Sequence, residues 1–426
     1  MSGTAVRPRS LWRNRDFAAL WGGQVVSALG AQSSQTAMPL LVLASGGSPG
    51  DAGVVAAAGT LPHLVAQLPA GALVDRWDRR RILLVSEIVA GLVLATVPVA
   101  VWSGAVTVAH LAAVAFAQGL CFVFFGLAEH AALPHIVPAE QLPTAVAHNE
   151  ARGRGAALAG RPLGGALFGL GPAVPFLADV VSYAVASAGL LFLRGELRGR
   201  SSAPSRSGKS ASRVPGWRST TEGLRWIWRH PLIRAAVLLV AVSNMVFQAL
   251  GLVIVVLARE EGASAADIGV MLGVYSGGGL LGALAAARLH RYFSPRSVIL
   301  GVHWIWAGLL PLFLFTAHPL VIGAIGAATA FVGPLWNVVI GSYTTILVPD
   351  ELRGRVGSAA MTLSWGVMPV ASLGAGRLLT HVGAADTLAV LVAVTLAAAV
   401  AATASPAVRR APPLPTAGRG SRRTRA

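Results

Sequence analysis

Twelve apolar stretches alternate with short polar turns along the chain, at about residues 16–43, 52–74, 82–102, 106–128, 146–169, 173–193, 232–257, 266–288, 297–316, 319–346, 355–380 and 384–405. Each has the roughly 20 mostly apolar residues that a helix needs to cross a hydrocarbon core of about 30 Å. The pattern therefore predicts twelve spanning helices. Two stretches break it. Residues 195–230 are Ser-, Gly- and Arg-rich up to about Pro215 and become helix-compatible at Thr220–Trp228. They read as a linker joined to an interfacial helix, with Trp217, Trp226 and Trp228 at headgroup level. Residues 406–426 are Pro- and Arg-rich and read as a disordered basic tail. The expected organisation is a six-helix bundle over 1–194, a cytoplasmic linker over 195–231, a second six-helix bundle over 232–405, and the tail.

Charge orients this weave. Basic residues gather at the N-terminus, in the turn at 75–81, in the central linker, around Arg288–Arg296, at Arg353 and Arg355, and in the tail. The intervening turns are nearly free of them. Alternate basic loops mark the cytoplasmic side of an inner membrane, and the even number of spans places both termini there. The formal net charge of +17 could suggest a nucleic-acid partner, but its confinement to alternate loops argues against one. Hydrophobic residues make up 54% of the chain and charged residues 12%, half the share usual in soluble domains. The single cysteine, Cys121, excludes an intrachain disulfide and any credible zinc site. The basic start followed by an apolar run mimics a signal peptide. That run continues through Leu43, too far for a signal segment, so it is expected to remain as the first span.

The turn between the second and third stretches is the most specific feature: Gly71-Ala72-Leu73-Val74-Asp75-Arg76-Trp77-Asp78-Arg79-Arg80-Arg81. So short a loop forces an antiparallel hairpin, and four arginines hold it in the cytoplasm. It has a degraded second copy, since Asp75-Arg76-Trp77 matches His290-Arg291-Tyr292. Val137-Pro138-Ala139-Glu140 matches Val348-Pro349-Asp350-Glu351 at nearly the same offset. Two anchors argue for two parallel six-helix repeats. The turn, with its Gly-x-x-x-Asp-Arg-x-x-Arg-Arg pattern, resembles the loop between the second and third helices of major facilitator superfamily transporters. Asp78 stands where that family has a glycine. The resemblance covers about residues 11–405 and implies an all-α integral membrane protein of twelve transmembrane helices in two pseudo-symmetric bundles. It also implies a role for Asp75 as a conformational latch, with Gly71, Arg76, Arg79 and Arg80 around it, meeting the start of the eleventh span at Arg353 and Arg355. The alternative is that the turn only fixes topology. An aspartate beside a helix N-terminus gains about 0.3–1 kcal/mol from the partial positive charge there.

In the fifth span, Gly160-Arg161-Pro162-Leu163-Gly164-Gly165 resembles the glycine signature of exporters and antiporters, with Arg161 in the usual proline place. Small residues at this spacing let backbones approach closely, either within one bundle or in a seam with the glycine-rich eighth span. A charge at mid-membrane is costly and is normally paired. Counting residues from the hairpin at Pro172 puts Asp179 at a similar depth to Arg161 and makes it the expected partner. Otherwise Asp179 serves only the start of its own helix. The run Asp179-Val180-Val181-Ser182-Tyr183 resembles the siderophore and macrolide exporter branch of the superfamily.

Uncharged polar residues among aromatics supply candidate cavity groups: Gln24 and Gln35 in the first span, Gln118 and Phe122 in the fourth, Asn244 and Gln248 in the seventh, Trp336 and Asn337 in the tenth. The resemblance places these spans around a central cavity. The alternative for each residue is an interhelical hydrogen bond. Such groups suit an amphipathic small molecule better than an ion. A proton carrier needs a titratable group in the path, and Glu87, Glu129, Glu150, Asp179, His63 and His303 are candidates. The family's usual arginine in the fourth span is Ala115 here, which removes the standard relay. The only lysine, Lys209, lies in the linker, so no phosphate-binding loop exists and an ATP-driven pump on this chain is excluded. No cofactor, metal site or hydrolytic grouping is evident, so the chain is not expected to be an enzyme. The resemblance implies a monomeric secondary exporter of a drug, antibiotic or siderophore-like molecule, driven by the proton gradient. A lysophospholipid flippase or uptake permease shares most of these motifs, and a membrane enzyme or scaffold is the remaining alternative.

Overall fold

The computed structural model describes residues 11–74, 76–192, 216–289, 292–316, 318–349 and 352–411. These are almost wholly helical, with no strand among them. The helices are α1 (Arg15–Ala44), α2 (Pro49–Val65), α3 (Gln67–Val74), α4 (Arg79–Trp102), α5 (Val108–Ile136), α6 (Leu142–Leu170), α7 (Val174–Leu191), α8 (Gly216–Arg229), α9 (Pro231–Glu260), α10 (Ala265–Leu289), α11 (Pro295–Leu309), α12 (Pro319–Leu347), α13 (Arg353–Gly366), α14 (Met368–Ala404) and α15 (Pro406–Arg409).

Eight helices among the described residues are long and apolar enough to cross a bilayer, counting Arg353–Ala404 as one. The helices that fall short do so for legible reasons. α1 and α6 are long but have polar residues spread among their apolar ones, and α2 turns at Ala66 into the short α3. A polar face is stable in a membrane when neighbouring helices cover it. With these, and with the long last helix broken at Gly383, the twelve spans are present.

The helix ends follow local chemistry. Asn14 caps α1 and also donates to the Ile136 carbonyl at 2.7 Å. Ser48 and Asp51 form a reciprocal capping box on α2. Asp78 accepts from the Arg80 backbone at 2.9 Å and so caps α4. The residue that departs from the family pattern thus starts the third span.

Two compact units divide the chain. The first comprises α1–α7 and the beginning of α10, Ala263–Gly273; the second comprises α8, α9 and the elements from Val274 onward. In the first unit α1 packs on α6 and α7, α2 on α5, and α4 on α5 and α7. Small residues set these distances. A Cβ on Gly119 of α5 would strike the Gly59 carbonyl of α2, and one on Gly23 of α1 would lie 3.1 Å from the Ala186 Cα of α7. In the second unit α9 packs along α14, and α11 on α12 and α14. Gly278 and Gly282 of α10 lie against the backbone of α12 at Ala327 and Phe331.

Gly383 makes the turn between the last two spans at φ 81° and ψ 178°, a conformation essentially restricted to glycine, where other residues incur about 1–3 kcal/mol. Gly383→Ala is therefore expected to lower the thermal unfolding temperature in detergent. Gly374→Ala, at a helical site with open space around it, is expected to leave it unchanged. Equal shifts for the two variants would show that the turn is not strained.

Candidate functional site

A polar layer crosses the interior of the first unit. Glu87 of α4 is 3% exposed. It accepts from Gln24 Nε2 of α1 at 2.7 Å and from Ser27 Oγ at 3.3 Å. Gln118 of α5 donates to the Ala90 carbonyl of α4 at 3.0 Å and accepts from the Tyr183 hydroxyl of α7 at the same distance. Asp179 of α7, 1% exposed, accepts from Ser182 Oγ at 3.0 Å. The Ser34 hydroxyl adjoins it, short of hydrogen-bonding geometry. Glu87 and Asp179 lie within electrostatic reach of each other, and Tyr183 within reach of both. Four helices thus meet around two carboxyl groups whose hydrogen-bond partners are neutral amides and hydroxyls.

Glu129 is different. Arg152 of α6 grips it through both oxygens, at 2.7 and 2.9 Å, and Asn149 adds a longer contact of 3.4 Å. This is a bidentate, largely buried clamp between α5 and α6. Glu150 sits at the surface, 4.0 Å from Arg154 one turn on. His63 lies edge-on to Phe122, ring centroids 5.7 Å apart, where Phe122 is 62% exposed. Of the six titratable candidates, burial with neutral hydrogen-bond partners leaves Glu87, Asp179 and His303.

The expected pairing of Arg161 with Asp179 is not formed. Arg161 Nε donates to Gln32 of α1 at 3.3 Å, and Gln32 donates onward to Gln35 at 3.3 Å. Asp179 packs on a different face of α1, so close to Gly30 that a Cβ there would lie 2.5 Å from its carboxyl oxygen. Counting residues along the two helices could not show that α1 stands between α6 and α7.

The glycines of α6 divide between two neighbours. A Cβ on Gly160 would lie 2.8 Å from the Leu29 carbonyl, and one on Gly164 would lie 2.5 Å from the Ser33 carbonyl, both on α1. Ser33 Oγ donates to the Gly160 carbonyl at 3.0 Å. Gly165 faces α10 instead, 2.7 Å from the Gly269 Cα by the same measure, and Pro162 fills the space beside Gly273. Close packing on α1 and close packing on α10 therefore coexist on one helix.

In the charged turn, Gly71 borders open space, Arg76 and Trp77 are exposed, and Asp75 lies outside the described residues, as do His290 and Arg291. Arg79 donates to the His135 ring at the end of α5 at 3.1 Å. Arg80 donates to the Leu191 carbonyl at the end of α7 at 2.8 Å, where a cation meets the negative helix terminus. The arginines so tie the start of α4 to α5 and α7. In the second unit Arg355 pairs with Glu222 of α8, and Gly223 packs on the Arg355 carbonyl. Arg353 donates to the Thr345 carbonyl at 2.9 Å. α8 is thereby pinned to α13, with Ile227 buried, Trp226 stacked on His230 and Trp228 exposed.

The remaining cavity candidates also divide. Asn244 donates to the Ser364 carbonyl at 2.8 Å and Gln248 to the Ser372 hydroxyl at 2.9 Å, joining α9 to α13 and α14. Trp336 is buried. Gln35, Phe122 and Asn337 are exposed. The residues that sequence reasoning missed are Ser27, Tyr183 and Ser182 in the polar layer, Arg152 opposite Glu129, and Glu222 opposite Arg355. Ser27, Tyr183, Arg152 and Glu222 each meet a partner on another helix, at no regular spacing, whereas Ser182 sits one turn from its own partner, Asp179.

Separation of Arg161 from Asp179 has a direct consequence. Losses of stability in Arg161→Leu and Asp179→Leu are expected to add in the double variant, with a coupling of no more than about 0.5 kcal/mol. A double variant more stable than either single one would show that the two charges meet in some state of the protein.

Residues 20–372 match the family profile described as Major Facilitator Superfamily. The Multidrug efflux pump Tap of Mycolicibacterium fortuitum is 30% identical to this chain over 86% of its length and 88% of the relative's. A protein of the same name from Mycobacterium tuberculosis is 26% identical over 90% and 92%. Among solved structures, a bacterial homolog to the human lysosomal transporter Spinster, in an inward-facing and unoccupied conformation, superposes with a TM-score of 0.69 at 13% identity. It covers 96% of this chain and 98% of the other.

Proposed function

Because the chain belongs to the major facilitator superfamily, a family of multi-pass membrane transporters, we propose that it exports amphipathic small molecules, drugs among them. The observation that carries this reading is its likeness to the Tap efflux pumps, which extends over most of both chains. Export runs by alternating access across the inner membrane, with both termini in the cytoplasm, the chain acting as a monomer and the two six-helix bundles joined by the linker. Exposed Gln35, Phe122 and Asn337 offer neutral polar and aromatic contacts of the kind that an amphipathic substrate uses.

The proton gradient drives the cycle through the polar layer of the first unit. Glu129 has both oxygens engaged by Arg152, which makes it part of the joint between α5 and α6. Glu87 and Asp179 are hydrogen-bonded to groups that serve a protonated or an ionised carboxyl equally well: the Gln24 amide, the Ser27 and Ser182 hydroxyls. They are the groups in this unit able to take up and release a proton within the protein.

In proteoliposomes with an imposed pH gradient, Glu87→Gln keeps the contacts to Gln24 and Ser27 but cannot carry charge. It is expected to cut gradient-driven drug accumulation about tenfold or more, a barrier change on the order of 1.4 kcal/mol, while downhill drug movement continues. Asp179→Asn is expected to act in the same direction. Unchanged accumulation in both variants would remove proton carriage from this layer. Accumulation of labelled lysophospholipid but of no drug would replace export of drugs with lipid flipping, and uptake in place of export would make the chain a permease.

The turn at Asp75 acts as a latch on one conformation in the same reading, through the start of the eleventh span at Arg353 and Arg355. Asp75→Asn is expected to lower turnover with little loss of protein from the membrane, and His290→Asn in the degraded copy to do much less. Equal effects of the two changes on turnover would mean that the turns act alike and that no latch is specific to the first.

A further inference from the structure

The second unit contains a buried histidine that the polar layer of the first unit does not explain. His303 of α11 is 1% exposed and Trp336 of α12 is 2% exposed. His303 Nδ1 meets the Ile299 carbonyl at 2.7 Å. A carbonyl can only accept, so Nδ1 bears a hydrogen, and Nε2 is the site that a further proton would take. Nε2 is buried without a hydrogen-bond partner, and so is the Trp336 indole N–H. The two rings are 5.0 Å apart and nearly perpendicular, at 85°. Trp306 closes the other side with its ring 5.4 Å from the imidazole, and its own N–H is spent on the Thr329 carbonyl at 2.9 Å.

An unmet acceptor and an unmet donor on two adjoining rings are uncommon, because each buried polar group left unpaired costs about 1–3 kcal/mol. A single water accepting from the indole and donating to Nε2 would satisfy both, as buried waters commonly do. The same water is a route for a proton to the Nε2 lone pair. The product is an imidazolium that keeps its Nδ1–H on Ile299. We propose that His303, with a water held by Trp336, is a proton-binding site of the second unit, and that it takes up and releases a proton in each transport cycle. This rests on the proton-coupled reading given above.

Among the described residues no counter-ion pairs with His303. Among the described residues α12 carries no charged group. The charged or titratable groups on the other neighbouring elements are Arg234, Arg259 and Glu260 of α9, Arg377, His381 and Asp386 of α14, and Arg409 of α15. None of them forms an ion pair with His303, which is buried and bonded to the Ile299 carbonyl. An imidazolium there would have indole rings for neighbours in place of a carboxylate. The proton is therefore not trapped by an ion pair, which a carrier requires.

The test uses the full chain in lipid nanodiscs and proteoliposomes. Imidazole nitrogen resonances are followed across pH, and wild type is compared with His303→Gln and Trp336→Phe. One resonance, absent in His303→Gln, is expected to titrate reversibly between about pH 5 and 8, the range in which histidines exchange protons. It is expected to titrate at a different midpoint in Trp336→Phe, which keeps the ring and loses the donor. In proteoliposomes His303→Gln is expected to lose part of the pH dependence of transport and to keep drug binding. A His303 resonance fixed in one protonation state overturns the site. So does a pH profile of transport in His303→Gln that matches wild type. If His303→Gln fails to fold, Trp336→Phe decides, since an unmoved midpoint overturns the water-bridged site. Absence of any proton-driven transport in wild type would instead sink the coupled-export reading, and the resonance would still report whether His303 binds a proton.

Discussion

Inside a hydrocarbon slab no water can satisfy a polar group, so each amide, hydroxyl and carboxyl in the spans has to be met by the protein itself. The first unit shows how far this reaches. Buried Gln24 is met by Glu87, and half-buried Gln118 by Tyr183 and the Ala90 carbonyl. α1 is among the least apolar of the long helices and packs on α6 and α7 along much of its length. Its polarity is the reason that it sits inside the unit, since only neighbouring helices could cover it.

The same constraint separates the buried carboxyls into two kinds. Glu129 has a bidentate arginine, and removing one member of such a pair costs roughly 3–5 kcal/mol because the other charge is stranded. That arrangement holds α5 to α6 and suits a fixed joint. Glu87 and Asp179 have neutral hydrogen-bond partners that tolerate either protonation state. His303 resembles them in kind, with one nitrogen committed and one open. A group clamped by an arginine and a group met only by neutral partners are therefore told apart by what faces them, although all lie within helices.

Glycine serves the constraint from the other side. Apolar lipid gives little reason for apolar helices to associate, and close van der Waals contact between backbones replaces that drive. α6 offers Gly160 and Gly164 to α1 and Gly165 to α10, so one short motif builds contacts on two faces. The Arg161 side chain lies beside this packing and turns to Gln32.

Much of the fold was legible in the chain because hydropathy and charge act residue by residue along it. The twelve stretches match the helices closely, down to the break at Gly383 between the last two, and membership of the superfamily could be read from the turn at Asp75 and the glycines from Gly160 to Gly165. Which helix a polar residue meets was not legible. Arg161 and Asp179 read as partners by residue count, yet α1 lies between their helices. Glu87, Glu129 and Asp179 look alike as acids in apolar segments, yet only Glu129 has an arginine. Those distinctions depend on how a helix is rotated about its own axis and which neighbour stands there. Packing of many residues at once decides that, and no local pattern records it.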